Sequence, residues 1–284
     1  MSLMTTRSAT LAGLGAILLW GLLALLTAAT RGIPPFQVTA ITFAIGGLAG
    51  LAVVLARGEA AALRQSPAAW ALGLFGLFCY HAVYFSALKL APPAEASLIA
   101  YLWPLLIVLM SAALPGERLR VAHVAGGLLG LSGVAVLAFG RGDLAFSTAH
   151  LVGYGLAFLS SFIWSSYSVL SRRMAHVPTA AVAGFCLVTA ALAFGVHLAV
   201  ERAVWPDAGA WAALVALGLG PVGAAFFLWD VGMKHGNIRL LGVASYAAPV
   251  ISTLALVLFG EAAASLSLVL ACGLIAAGAI IARS

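Results

Sequence analysis

The sequence predicts an all-α integral membrane protein of ten transmembrane helices, built as two inverted five-helix repeats. Three observations carry this. Apolar residues fill 64% of the 284 positions and charged residues only 8%, against roughly a quarter charged in soluble domains. Apolar windows of membrane length, about 20 residues each, follow one another with short breaks. A pattern of aromatic, Pro and Lys residues in the first half returns in the second.

Composition excludes several classes. There is too little polar surface to coat a globule in water, so the solvent is a lipid bilayer. The net charge of +6 is read through its distribution along the chain and not as a nucleic-acid footprint. Cys79, Cys186 and Cys272 lie inside apolar runs without paired spacing or a His at ligand distance, so no disulfide, zinc site or other metal site is expected. The first apolar run has no small-residue cleavage site and reads as a span, not a removed signal.

In chain order the windows are 9–29, 36–56, 68–88, 94–114, 120–140, 151–171, 179–199, 209–230, 238–258 and 264–282. Each is expected to be helical, because backbone facing lipid must satisfy its own hydrogen bonds. The breaks carry turn chemistry: Gly32-Ile33-Pro34-Pro35, Arg57-Gly58-Glu59, Pro92-Pro93, Gly140-Arg141-Gly142-Asp143, Val177-Pro178, Trp205-Pro206-Asp207 and His235-Gly236-Asn237. An N-terminus in the cytoplasm places Arg7, Arg57, Arg64, Arg118, Arg120, Arg172, Arg173, Lys234, Arg239 and Arg283 inside. Arg31, Lys89, Arg141 and Arg202 then lie outside. Ten against four supports both termini inside.

The repeat divides the chain into 1–145 and 146–284. Tyr84 to Lys89 matches Trp229 to Lys234, Tyr101-Leu102-Trp103-Pro104 matches Tyr246-Ala247-Ala248-Pro249, and Gly116-Glu117 matches Gly260-Glu261. Trp20 matches Trp164, and Gly133 matches Gly278. Five spans per half is an odd number, so the halves are expected in opposite orientations, a construction used by secondary transporters with a site near the midplane. Two similar halves can exchange conformations and open alternately to each side.

The candidate site residues are aromatics placed where an aromatic belt does not lie. Trp20, Tyr80, Tyr101, Trp103, Trp164 and Tyr246 fall within about 5 Å of the centres of their spans at 1.5 Å per residue. An indole N–H or phenol O–H left unpaired there costs on the order of 1–3 kcal/mol, which a wet cavity or a ligand relieves. Tyr80, His81 and Tyr84 share a helical face. The functional reading is an aromatic-walled cavity that stacks a planar substrate, and the bland one is helix packing with local hydrogen bonds.

His81 is the most central ionisable residue. It can bind a substrate carboxylate, carry a proton, or sit neutral against a neighbouring hydroxyl. His123 and His197, nearer span ends, read as structural. Asp230 and Lys234, one turn apart, read as a local ion pair or as snorkelling groups. Lys89 and Glu95 flank the Pro92-Pro93 hinge and are expected to face water. The serines of span 6, from Ser160 to Ser168, and the glycine clusters Gly46-Gly47-Gly50 and Gly126-Gly127-Gly130 read mainly as packing surfaces. No Ser-His-Asp set, HExxH or glycine-rich nucleotide loop is present, so neither catalysis nor a cofactor is expected.

Two five-span halves with a Pro in the fourth span and a Gly-Glu after it resemble the EamA family of the drug/metabolite transporter superfamily. Ala94 to Pro104, Leu114 to Leu119 and Gly126 to Val134 carry the resemblance best, and it covers essentially the whole chain. Within the family, the tryptophan-rich spans and Tyr101-Leu102-Trp103-Pro104 look most like YddG-type exporters of aromatic amino acids. The resemblance implies export of phenylalanine, tyrosine, tryptophan and related planar metabolites across a bacterial inner membrane. Spans 1–4 and 6–9 would enclose the cavity, with 5 and 10 outside. The superfamily's small multidrug members use a glutamate in the first span, and span 1 here has no acid. A nucleotide-sugar carrier would want Lys or Arg facing the cavity, and the central thirds of the spans have none. A different class would be a membrane enzyme or a non-catalytic membrane partner subunit; an enzyme would need titratable partners near His81, and none is legible. The oligomeric state is open, with a monomer as the working expectation.

Overall fold

The structure, a computed structural model, describes residues 5–140, 142, 144–260 and 263–282. Helices occupy all ten windows: α1 (Thr6–Ala28), α2 (Pro35–Ala56), α3 (Pro67–Leu90), α4 (Pro93–Ala113), α5 (Val121–Phe139), α6 (Leu151–Arg173), α7 (Thr179–Val200), α8 (Ala208–His235), α9 (Ile238–Leu258) and α10 (Leu266–Ala282). Eight are long and apolar enough to cross a membrane. Of the other two, α6 is long but carries six serines and ends in Arg172-Arg173, and α10 is apolar but has 17 residues. Among the described residues there are no strands. The outer faces carry exposed leucines, valines and phenylalanines such as Leu11, Leu48, Phe139 and Val152, as a lipid-facing surface requires.

The starts follow from local chemistry. Pro35, Pro67 and Pro93 stand in the first turn of α2, α3 and α4, where their missing N–H costs nothing. The side chains of Ser66, Asp207 and Asn237 accept the free amides of Ala69, Ala210 and Leu240. At α2 the cap comes from the other half: Glu201 accepts from the amides of Phe36 at 3.1 Å and Gln37 at 3.2 Å, and His197 Nδ1 holds that carboxylate at 2.9 Å. His123 Nδ1 accepts from the amide of Arg120 at the start of α5. Both histidines are structural.

Several helices are interrupted near their middles. α3 and α8 each hold a π-helical turn, at Phe75–Cys79 and Gly220–Ala224. α4 breaks at Tyr101-Leu102 and α9 at Ser245-Tyr246, in the turn before Pro104 and Pro249, because a proline supplies no N–H to the preceding turn and its ring crowds the carbonyl there. α1 breaks at Gly21-Leu22, whereas α6 runs unbroken.

Packing is paired between the halves. α1 packs on α8 and α3 on α6, while α2 packs on α7, α4 on α9 and α5 on α10. Glycines set the closest approaches. A Cβ on Gly126 would meet the carbonyl of Gly278 at 2.5 Å, joining α5 to α10, and one on Gly46 would meet that of Gly218 at 2.7 Å, joining α2 to α8. The glycine clusters are therefore packing surfaces. Of the α6 serines, Ser160, Ser161 and Ser165 bond carbonyls of their own helix, and Ser168 accepts from Trp229.

Candidate functional site

A cavity of about 600 Å³ lies at the centre of the helices, within the usual range for small-molecule sites. Its walls come from the C-terminal parts of α1 and α3, the N-terminal parts of α2 and α4, the C-terminal half of α9, and the middles of α6 and α8. It therefore opens toward the face opposite the start of α1. No α7 residue lines it, so seven helices enclose it and not the expected eight; α7 packs behind α2.

Seven of the eight residues singled out from the sequence line this cavity: Trp20, Tyr80, His81, Tyr84, Tyr101, Trp103 and Trp164. Tyr80 and Tyr84 lie parallel, with interplanar angle 4° and centroids 5.9 Å apart. His81 stands edge-on to Tyr80 and to Phe43, each at 5.0 Å. Its Nδ1 lies 2.6 Å from the carbonyl oxygen of Leu77. A carbonyl only accepts, so Nδ1 carries the proton and Nε2 of the neutral ring is an acceptor. Of the partners the sequence left open, the structure supplies neither a carboxylate nor a hydroxyl at this nitrogen but a backbone carbonyl. The Tyr84 and Ser97 hydroxyls share a 3.0 Å hydrogen bond.

Tyr246 is not a cavity residue. It is fully buried among Val134, Leu137, Val250 and Ile275, and its hydroxyl accepts the Leu105 amide at 3.1 Å. That amide is in the first turn of the segment that restarts at Trp103, so it has no partner one turn back. The break in α4 creates the need that Tyr246 meets.

Trp20, Trp103, Trp164 and Trp229 form the floor, with every pair of ring centroids 5.0–6.4 Å apart. Trp20 Nε1 donates to the Pro221 carbonyl at 3.0 Å, and Trp229 Nε1 to Ser168 Oγ at 3.1 Å. The indoles of Trp20 and Trp229 are therefore satisfied within the protein. Phe43, Phe85 and Phe226 complete the aromatic wall, with Thr39, Thr42 and Ser252 joining Thr27 and Ser97 as its small polar groups. Sequence reasoning passed over these. Pro221 in the middle of α8 was the available signal, since it marks the π turn that sets Phe226 into the wall. Among the described residues, no Asp, Glu, Lys or Arg lines the cavity.

Beyond the tryptophans the N-terminal face is closed by polar ties. Glu117, after α4, holds Arg172 of α6 at 2.8 Å and Arg239 of α9 at 3.0 Å. Arg172 also donates to the carbonyls of Met233 and Gly236, and Arg173 to that of Ala113. Glu261, the repeat counterpart of Glu117, lies outside the described residues, as do Arg141, Asp143 and Arg283. Asp230 and Lys234 pair at 2.8 Å with side chains 4% and 3% exposed, so they do not snorkel. Glu95 departs from expectation too. It is 1% exposed, and it accepts from the amide of Ala145 and the hydroxyl of Tyr154. Lys89 is exposed, as expected. Among the described residues no three His, Cys, Asp or Glu are grouped to hold a metal.

Membrane-length apolar helices around an aromatic cavity, open at one face and tied shut at the other, define a membrane transporter. The chain belongs to the EamA-like transporter family, which matches residues 7–139 and again residues 151–284. It is 59% identical over 281 residues to the aromatic amino acid exporter YddG of Ancylobacter novellus, covering 98% of each chain. It is 29% identical to the aromatic amino acid exporter YddG of Escherichia coli and 28% to that of Salmonella typhimurium, covering 88% of each chain in both cases. A solved crystal structure 59% identical in sequence superimposes with TM-score 0.96, covering 98% of this chain and 97% of that one.

Proposed function

We propose that the chain is a ten-span exporter of aromatic amino acids in a bacterial inner membrane, working by alternating access, with both termini cytoplasmic. The observation that carries this is the cavity of about 600 Å³ with aromatic walls, no charged side chain among the described lining residues, and its opening toward the face opposite the start of α1. Aromatic pairs of this kind contribute about 0.5–1.5 kcal/mol beyond area burial, enough to select planar side chains while allowing release. The printed names of the relatives point to the same substrate class.

Two inverted five-helix units are supported by three features. The family matches twice in tandem, on either side of the division at 145/146. The contacts α1–α8 and α6–α3 exchange under a pseudo-twofold axis, and the other three pairs lie across it. The π turns of α3 and α8 and the breaks of α4 and α9 fall at matching positions. With the N-terminal face cytoplasmic, as Lys and Arg placement favours, this structure is the outward-open state.

Tryptophan, tyrosine and phenylalanine are expected to exchange across proteoliposomes containing the purified chain. Trp103→Ala and His81→Ala are expected to lower that flux about tenfold through loss of stacking and of the polar contact, at unchanged protein yield. Unchanged flux in both variants would remove the cavity from the transport path. An imposed pH gradient in the same vesicles decides between proton coupling and facilitated export.

A further inference from the structure

We propose that Asp230 and Lys234 form a second, inner-face substrate site, which takes the α-ammonium and α-carboxylate of a zwitterionic amino acid when the cavity opens to the N-terminal face. This rests on the alternating-access reading above. Below the tryptophan floor, toward the N-terminal face, lies a small pocket of about 20 Å³, here called the void. The repeat relates it to the open cavity. The Trp20–Trp164 offset carries Leu23 to Tyr167 and Thr27 to Ser171. The Tyr84–Trp229 offset carries Leu72 to Leu217 and Phe85 to Asp230. Leu23, Thr27, Phe85 and Leu217 line the open cavity, and Tyr167, Ser171, Asp230 and Leu72 line the void. The void is the collapsed counterpart of the cavity mouth, and it opens when the two halves exchange conformations.

Its chemistry is not that of the mouth. Where Phe85 lines the open side, the closed side has a carboxylate, and Lys234 lines the void beside it. In the closed state every strong demand is met: Lys234 Nζ bonds Asp230 Oδ2 and the Val177 carbonyl, each at 2.8 Å, and Thr179 Oγ1 donates to the same Oδ2 at 2.6 Å. A buried pair of this kind is a poor source of stability compared with apolar packing, and charges inside a membrane protein mark function by default. An amino-acid zwitterion carries one charge of each sign on a single carbon. Its carboxylate replaces Asp230 at Lys234, and its ammonium replaces Lys234 at Asp230. The site stays neutral and each charge exchanges one charge-assisted hydrogen bond for another. The open cavity offers no such exchange: among the described residues its lining has neutral polar groups such as His81 but no ion pair. This asymmetry leaves the transport equilibrium unmoved; it sets the concentration at which each face saturates.

The test measures half-saturation for tryptophan at each face, in inside-out and right-side-out membrane vesicles. In the Asp230→Asn/Lys234→Met double variant the ratio of inner to outer half-saturation is expected to rise about tenfold, one to two charge-assisted bonds' worth. An unchanged ratio in a well-expressed variant overturns the proposal. A second measurement uses the wild-type chain alone. Tryptamine and indole-3-propionate, each with one of the two charges, are expected to compete at least tenfold less well than tryptophan at the inner face, by a clearly smaller margin at the outer. Equal margins at both faces overturn it. Tryptophan flux with an unchanged ratio defeats only the inner site, whereas no tryptophan flux at either face defeats the export reading and this proposal together.

Discussion

The large cavity and the small void are built on matching stretches of related halves, yet one holds about 600 Å³ and the other about 20 Å³. Leu23 and Thr27 on the open side are replaced by Tyr167 and Ser171 on the closed side, and Phe85 by Asp230. The polar ties differ in place as well. On the closed face Glu117 draws Arg172 and Arg239 together across the mouth. On the open face the ties of Glu95 to Tyr154 and Ala145, and of Glu201 to the start of α2, involve acids that do not line the cavity. Access is thus set by where the ion pairs lie, and ligand character by what the matching positions carry.

The largest expected effect falls on the closed side. Lys234→Met leaves Asp230 buried without its cation, which costs roughly 3–5 kcal/mol. Thermal unfolding in detergent should show a marked drop that Asp230→Asn largely reverses in the double variant. A single variant no less stable than the double would mean the pair is not held as buried charges. The smallest effect is expected at the hinge between the two regions. Tyr246→Phe removes the acceptor of the Leu105 amide and costs about 1 kcal/mol. Tryptophan affinity should not change, and a change in affinity without a change in stability would move Tyr246 into the site.

The helices were legible because each apolar window must be a helix in lipid, and Pro, Ser, Asp and Asn mark the starts. Mid-span aromatics pointed to the cavity because indoles and phenols in a membrane need partners. Depth along a span, however, says nothing about which face a side chain takes. Tyr246 sits at cavity depth but turns to the break in α4, whose free amide no sequence pattern announces. Glu95 follows a Pro-Pro hinge and looked wet, yet it is covered by Tyr154 and by Ala145 at the end of the first half. Asp230 and Lys234 have the spacing of an ordinary surface pair, and only tertiary packing buries them. Thr39, Phe43, Pro221 and Phe226 entered the wall through contacts between the halves, which no single helix encodes.

The central claim is that the two faces open in alternation. The most direct measurement is thiol labelling of Thr27→Cys and Ser171→Cys, in chains with Cys79, Cys186 and Cys272 replaced, with and without Glu117→Gln. With Glu117 intact, Thr27→Cys should label from the face opposite the N-terminus and Ser171→Cys should be protected. Glu117→Gln should raise labelling at position 171 from the N-terminal face and lower it at position 27. A rise at position 171 with no fall at position 27 would mean the faces open independently, and would contradict the account.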